Sequence, residues 1–148
     1  MKVLDRVSAI LNQKSGPTWS IAPDVTVYQA LETMADREIG ALLVLESGTL
    51  VGLISERDYA RKVILKGRSS RDTKVADIMI SPAITISSDC SVDEAMRIMT
   101  ENRIRHLPVL GKDGAVSGIV SIGDLVKWII TSQDETIEHL QSYIGGRS

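Results

Sequence analysis

The strongest constraint on how this chain folds is that its sequence occurs twice. DVTVYQALETMADREIGALLVL, Asp24 to Leu45, lies over DCSVDEAMRIMTENRIRHLPVL, Asp89 to Leu110, at a constant offset of 65 residues. Val27 meets Val92, Ala30 meets Ala95, Met34 meets Met99 and Ile39 meets Ile104. A one-residue insertion in the GKDG turn raises the offset to 66, and Gly52, Ser55 and Asp58 then meet Gly118, Ser121 and Asp124. A repeat decides architecture before any single residue does. Units of about sixty residues are small for independent stability, so the copies are expected to pack on each other.

Each copy has the same order of elements. Val27, Ala30, Leu31 and Met34 recur at helical spacing, as do Val92, Ala95, Met96 and Met99. A helix-start signal is expected near Asp24 and Asp89. ALLVLE and HLPVLG read as short apolar strands. The turns ESGT and GKDG then lead into LVGLIS and AVSGIVS as hairpins with bulge-like glycines. A second helix is expected to begin near Asp58 and Asp124. The predicted class is α/β (α+β): two tandem β-α-β-β-α repeats packed with pseudo-twofold symmetry, plus terminal helices. The expected boundaries are an N-terminal helix over 1–16, a first repeat over 17–68, a linker over 69–74, a second repeat over 75–132 and a C-terminal helix over 133–148. LKGRSSRDTK, Leu65 to Lys74, is polar and turn-rich and reads as exposed. Amphipathic pieces near Val3 to Leu11 and over Glu135 to Ile144 are expected to be helical and half-buried, sealing the pair or carrying a dimer contact.

Bulk properties narrow the function. The 148 residues carry 17 basic and 19 acidic side chains, a net charge of −2, which gives no long-range attraction to nucleic acid or to an anionic membrane. With no Phe, three Tyr and two Trp, a stacking platform for single strands is not expected either. The single cysteine, Cys90, allows no intramolecular disulfide and no cysteine-rich zinc site, and reads as structural or incidental. Neither a signal peptide nor a membrane span is legible, so the expected location is the cytoplasm. No P-loop, dinucleotide-binding fingerprint or nucleophile–base pair appears, and His106 and His139 stand far apart on different elements; the chain is not expected to be an enzyme.

VADIMISPAITIS, EAMRIMTENRIRHLPVL and GIVSIGDLVK, with EIGALLVL and GLISERDYAR in the first copy, resemble a tandem pair of CBS domains (cystathionine β-synthase type, also called a Bateman module). The resemblance covers roughly Pro17 to Ile130. It implies a non-catalytic regulatory module that binds an adenine nucleotide (AMP, ADP, ATP or NAD) in clefts between the repeats and signals energy or redox state to a separate partner protein. It also implies a homodimer stacked into a flat disc, for which the apolar helices after Val27 and Val92 offer faces. The alternative is an interaction or scaffold protein whose clefts are vestigial.

The chemistry of the junction residues agrees with that expectation. A ribose offers two adjacent hydroxyl donors, and an ionised Asp accepts from both. Asp58 and Asp124 are the expected diol receptors, with Ser55 and Ser121 supporting them and free amides at the helix start attracting phosphate. A helix cap is the competing role for each Asp. By resemblance, one cleft combines Ile119, Ser121, Gly123 and Asp124 with Arg105 and takes Trp19, Ile39 and Gly40 from the other repeat. The second combines Leu53, Ser55, Arg57 and Asp58 with Ile84, Ile104 and Arg105. Positive charge for phosphate is divided among Arg57, Arg105 and His106, with Arg61 and Lys127 one helical turn on. Trp19 has core packing as its competing role. Gly123 leaves room beside the ribose, which favours the Asp124 cleft for a mononucleotide.

Overall fold

A computed structural model of the chain describes residues 5–14 and 17–132. The elements are α1 (Val7–Gln13), β1 (Ser20–Ile21), α2 (Val27–Arg37), β2 (Ala41–Glu46), β3 (Thr49–Ser55), α3 (Glu56–Tyr59), α4 (Val75–Ile78), β4 (Ile86–Ser87), α5 (Val92–Asn102), β5 (His106–Leu110) and β6 (Val116–Ser121). A final helix, α6, occupies 122–132. The strand–helix–strand–strand–helix order is present in both repeats. Each forms a three-stranded sheet, in the orders β1-β2-β3 and β4-β5-β6. The short strand is parallel to the middle one in each, with Ser20 opposite Leu43 and Ile86 opposite Val109. The β2–β3 hairpin slips register between Val44 and Leu45, the bulge expected beside Gly52.

The chain divides into two compact units, one of residues 16–85 with 114–116 and the other of 1–15, 86–113 and 117–148. The first unit buries Val27, Ala30 and Met34 of α2 against Leu42, Val44 and Ile54, with Val75 and Ile78 of α4 completing the core. The second does the same with Val92, Ala95, Met99, Leu107, Val109 and Val120, and its extra helix is α1, through Val7 and Ile10. The helix that begins the second repeat in sequence thus packs with the first, and α1 packs with the second.

The extra helix satisfies the same backbone groups in both units. The first amide of α2, Val27 N, donates to Thr73 O at 2.8 Å, and the first amide of α5, Val92 N, donates to Asp5 O at 2.8 Å. Without these partners the helix starts would be unpaired donors in a buried setting. Leu65 to Lys74 is largely exposed, as its composition suggested, yet it is tied to the first unit. Its Ser70 and Thr73 carbonyls accept from Tyr28 and Val27, Thr73 is buried, and Arg71 lies over the Tyr28 ring at 3.9 Å.

The helix-start signal expected near Asp24 and Asp89 falls two residues on, at Thr26 and Ser91, whose hydroxyls accept from Gln29 N and Glu94 N. Asp89 instead pairs with Arg6 at 2.9 Å. The apolar faces of α2 and α5 are spent on their own cores, because residues at i, i+3 and i+7 from Val27 and Val92 all point inward. An exposed apolar stripe also runs along α6, where Ile122, Val126 and Ile130 are 37%, 42% and 53% exposed. The predicted helix over Glu135 to Ile144 and His139 lie outside the described residues.

Candidate functional site

Both repeats end their last strand on a serine that caps the following helix. Ser55 is extended at φ −130° and ψ 164°, so the strand runs straight into α3. Its backbone N–H and hydroxyl donate to Asp58 Oδ2 at 2.9 and 3.0 Å, and Asp58 N donates back to Ser55 Oγ at 3.3 Å. In the second unit Ser121 N donates to Asp124 Oδ2 at 2.8 Å, and Asp124 N donates to Ser121 Oγ at 3.1 Å. This reciprocal ring closes only when the carboxylate stands three residues after the serine, which is a local cause for the repeated Ser-x-x-Asp spacing. The capping role is therefore real in both copies.

Some of the helix-start amides expected to attract an anion are already engaged. Glu56 N donates to Gly40 O at 3.1 Å and Ile122 N to Arg105 O at 2.8 Å, while the amides of Asp58 and Asp124 go to serine. First and third amides are thus engaged by the protein at both junctions.

Each junction carboxylate also meets a lysine, reached by different routes. Asp58 is 6% exposed, and Lys62, one turn on in the π-helical segment Ala60–Ile64 that continues α3, brings Nζ within 3.2 Å of Oδ1. Lys62 also donates to Ile78 O at 2.8 Å, tying α4 to the junction. At the matching position after Asp124 stands Trp128, whose Nε1 donates to Asp5 Oδ2 at 2.9 Å. The cation there is Lys14, just past α1, whose Nζ donates to Asp124 Oδ2 at 2.8 Å and to Ile119 O at 2.9 Å. Asp124 keeps 24% of its side chain exposed, and it opens on a cavity of about 370 Å³ between α1 and α6. Besides Asp124, the cavity is lined by Asp5, Ile10, Gln13 and Lys14 and by Lys127, Trp128, Thr131 and Ser132 of α6.

Burial pushes the Asp124 carboxyl up, but hydrogen bonds from Lys14 and Ser121 and the Lys14 charge together outweigh it and hold the carboxyl below the usual range. A carboxyl lowered on folding stabilises the folded state above its unfolded pKa, about 3.9, and that contribution is lost as pH falls through the folded value. Asp5 is the other carboxyl on the cavity. Wild-type stability should therefore drop below about pH 4, and Asp124→Asn should flatten part of that drop. Urea unfolding midpoints between pH 6 and pH 2 measure it; identical acid profiles for the two proteins would contradict this account.

The remaining predicted residues fall into their own units. Trp19 is half-buried against the first core, and the Arg37 guanidinium lies 4.0 Å from its ring centroid, so one face of the ring is covered. Ile39 packs partly against the same core. Leu53 is buried, and its N–H and C=O pair with Ile80 at 3.0 and 2.9 Å. Arg57 is half-buried, Arg61 exposed and Ile84 37% exposed. In the second unit Ile104 packs on the core, while Arg105 is exposed and His106 and Ile119 are half-buried. A Cβ on Gly123 would find nothing nearer than Ser121 Oγ at 3.6 Å, so the room expected beside Asp124 exists. Each predicted cleft draws on both units; within a unit, the fold gathers Gly40, Leu53, Ser55 and Asp58, or Arg105, Ile119, Ser121, Gly123 and Asp124. Cys90 is half-buried, its carbonyl accepts from Val7 N at 2.9 Å, and burial, with Glu94 adding, pushes its thiol up.

Sequence reasoning missed both lysines. Lys62 was legible, since i and i+4 share a helix face. Lys14 was not, but one signal pointed to its helix: RVSAIL, Arg6 to Leu11, matches KVADIM, Lys74 to Met79, at an offset of 68. The repeat therefore includes the extra helix, and that match explains why α1 and α4 occupy equivalent places.

The chain belongs to the CBS domain family, which matches residues 14–65 and 75–131. It is 46% identical over 128 residues to the CBS domain-containing protein CBSX3, mitochondrial, of Arabidopsis thaliana, covering 83% of this chain but only 62% of that protein. A solved CBS-domain containing protein from Agrobacterium tumefaciens is 33% identical with a TM-score of 0.78, over 83% of this chain and 98% of that one. The CBS domain pair of protein MJ0100, solved with 5′-methylthioadenosine and S-adenosyl-L-methionine, is 25% identical with a TM-score of 0.75, over 87% of this chain and 98% of that one. Among the described residues no helix is long and apolar enough to cross a membrane, and no cluster of three or more His, Cys, Asp or Glu is placed to hold a metal ion.

Proposed function

We propose that this protein is a non-catalytic regulatory module that binds an adenine nucleotide or nucleoside, with Asp124 as the receptor for the ribose diol. One observation carries the choice: the Asp124 carboxylate is held ionised and oriented by Ser121 yet remains partly exposed beside a cavity, with Gly123 leaving room next to it. Asp58, 6% exposed and already accepting from Ser55 and Lys62, is the poorer receptor. The adenosine ligands held by the CBS pair of MJ0100 support the ligand class. Arg105, His106 and Lys127 are assigned to a phosphate in this reading, and Ile104 and Ile119 to the base. AMP, ADP, ATP, NAD and S-adenosylmethionine are the candidates.

Signalling in this reading passes to a separate protein chain in the cytoplasm, and a homodimer forms along the α6 stripe of Ile122, Val126 and Ile130. The test is calorimetry and thermal shift over the five ligands on wild type and Asp124→Ala. Wild type should be stabilised by at least one of them, since a ligand that binds only the folded state raises its stability by mass action. Asp124→Ala should lose at least tenfold in affinity. Equal binding by both proteins, or none by wild type at millimolar ligand, would remove the proposal; turnover of a ligand would make the protein an enzyme instead.

A further inference from the structure

The lysine on Asp124 comes from the end of α1, 110 residues away in sequence. Lys14 Nζ makes two hydrogen bonds, to Asp124 Oδ2 and to Ile119 O, at 2.8 and 2.9 Å. Asp124 Oδ2 also accepts from Ser121 N, so both of its lone-pair directions are used. A ribose diol held by a carboxylate spans both oxygens, one hydroxyl to each. It therefore needs the lone pair that Lys14 occupies.

Lys14 is also mechanically placed to report on that contact. It follows α1 directly, and its own amide donates to Ile10 O at 3.1 Å, closing the last turn of the helix. Three residues earlier, Leu11 sits over Gly118 of β6, so close that a Cβ there would lie 2.9 Å from Leu11 Cδ2. The end of α1 is held to the second unit by this apolar contact and by the lysine. Lys14 is 39% exposed, so its ammonium has water to return to when it leaves. Asp58 has no comparable device, since its lysine belongs to its own helix and its carboxylate is buried.

We propose that Lys14 is an internal competitor for Asp124: a cis-diol ligand displaces its ammonium and thereby loosens the C-terminal turn of α1, which makes α1 the element that reports binding. This rests on Asp124 being the ribose receptor. The affinity of the site is then set partly by a residue that never touches the base, and occupancy is converted into freedom of the N-terminal helix.

The test uses adenosine, which has the diol but no phosphate, so that loss of a cation cannot weaken binding through phosphate attraction. Affinity by calorimetry is compared for wild type, Lys14→Met and Lys14→Arg, with hydrogen exchange at the Lys14 amide measured with and without saturating adenosine. Lys14→Met should bind adenosine about five- to fiftyfold more tightly than wild type, and Lys14→Arg should not. Wild-type exchange at Lys14 should quicken on adding adenosine, whereas in Lys14→Met it should be fast already and unchanged. Equal or weaker binding by Lys14→Met, or wild-type exchange that slows with ligand, would overturn the competitor role and leave Asp124 as receptor. Failure of wild type and Lys14→Met alike to bind any of the adenine compounds would instead remove the receptor assignment, and the competitor role with it.

Discussion

Gly52→Ala is expected to lower the free energy of unfolding by about 2–3 kcal/mol, the upper part of the range for overpacking a filled interior. The new methyl would lie 2.7 Å from Met79 Sδ and 2.8 Å from Ile80 O. The carbonyl cannot retreat cheaply, because Ile80 is hydrogen-bonded to Leu53 through both its backbone groups, at 3.0 and 2.9 Å. Making room breaks that pair or lifts α4 from the core it helps to fill. The matching substitution, Gly118→Ala, meets only the tip of the Leu11 side chain, at 2.9 and 3.3 Å. A leucine tip moves by changing rotamer, at a cost of about 0.5–1.5 kcal/mol. Urea unfolding of the two variants measures the contrast. A Gly118→Ala as damaging as Gly52→Ala would mean that the close approach of α4 is not what holds position 52 to glycine.

The second large effect separates the two aspartates. Asp58→Ala should cost about 2–3 kcal/mol, because hydrogen bonds to a charged acceptor are worth more than neutral ones and the part-buried Ser55 N–H is left without its partner. Lys62 is also released from its hold on α3, although 43% exposure of its side chain lets water recover it. Asp124→Ala should cost nearer 1 kcal/mol, an ordinary cap loss at a half-exposed site, while carrying the loss of ligand affinity described above. Melting and calorimetry on both variants give a crossed result: stability falls most at position 58, binding at position 124. If Asp58→Ala is as stable as wild type and Asp124→Ala is the one that unfolds early, the division of labour is reversed.

The repeat made most of this fold legible. Helical spacing from Val27 and Val92 located α2 and α5, apolar runs located the middle strands, and turn residues located the hairpins, because each signal is local and is written twice. The junction aspartates were legible for the same reason. Their partners were not equally so. Lys62 is four residues from Asp58, on the same helix face; Lys14 is 110 residues from Asp124 and meets it only because α1 crosses into the second unit. Which apolar stripe stays exposed is a related point, since periodicity alone cannot say whether a helix face is buried. Packing assigned α2 and α5 to the interior and left the stripe on α6 outside.

The sequence alone determined what short-range chemistry controls: element order, both cores, and a Ser-x-x-Asp cap at each strand-to-helix junction. Such features need only residues within a turn or a hairpin of one another. The tertiary structure decided which extra helix completes which core, that Asp58 is sealed while Asp124 faces a cavity, and that a lysine from the start of the chain stands on the second aspartate. Exposure and ion pairing of this kind depend on where distant backbone segments cross. The two copies share the Ser-x-x-Asp cap at their junctions, and their aspartates differ in exposure and pairing because different segments lie over them.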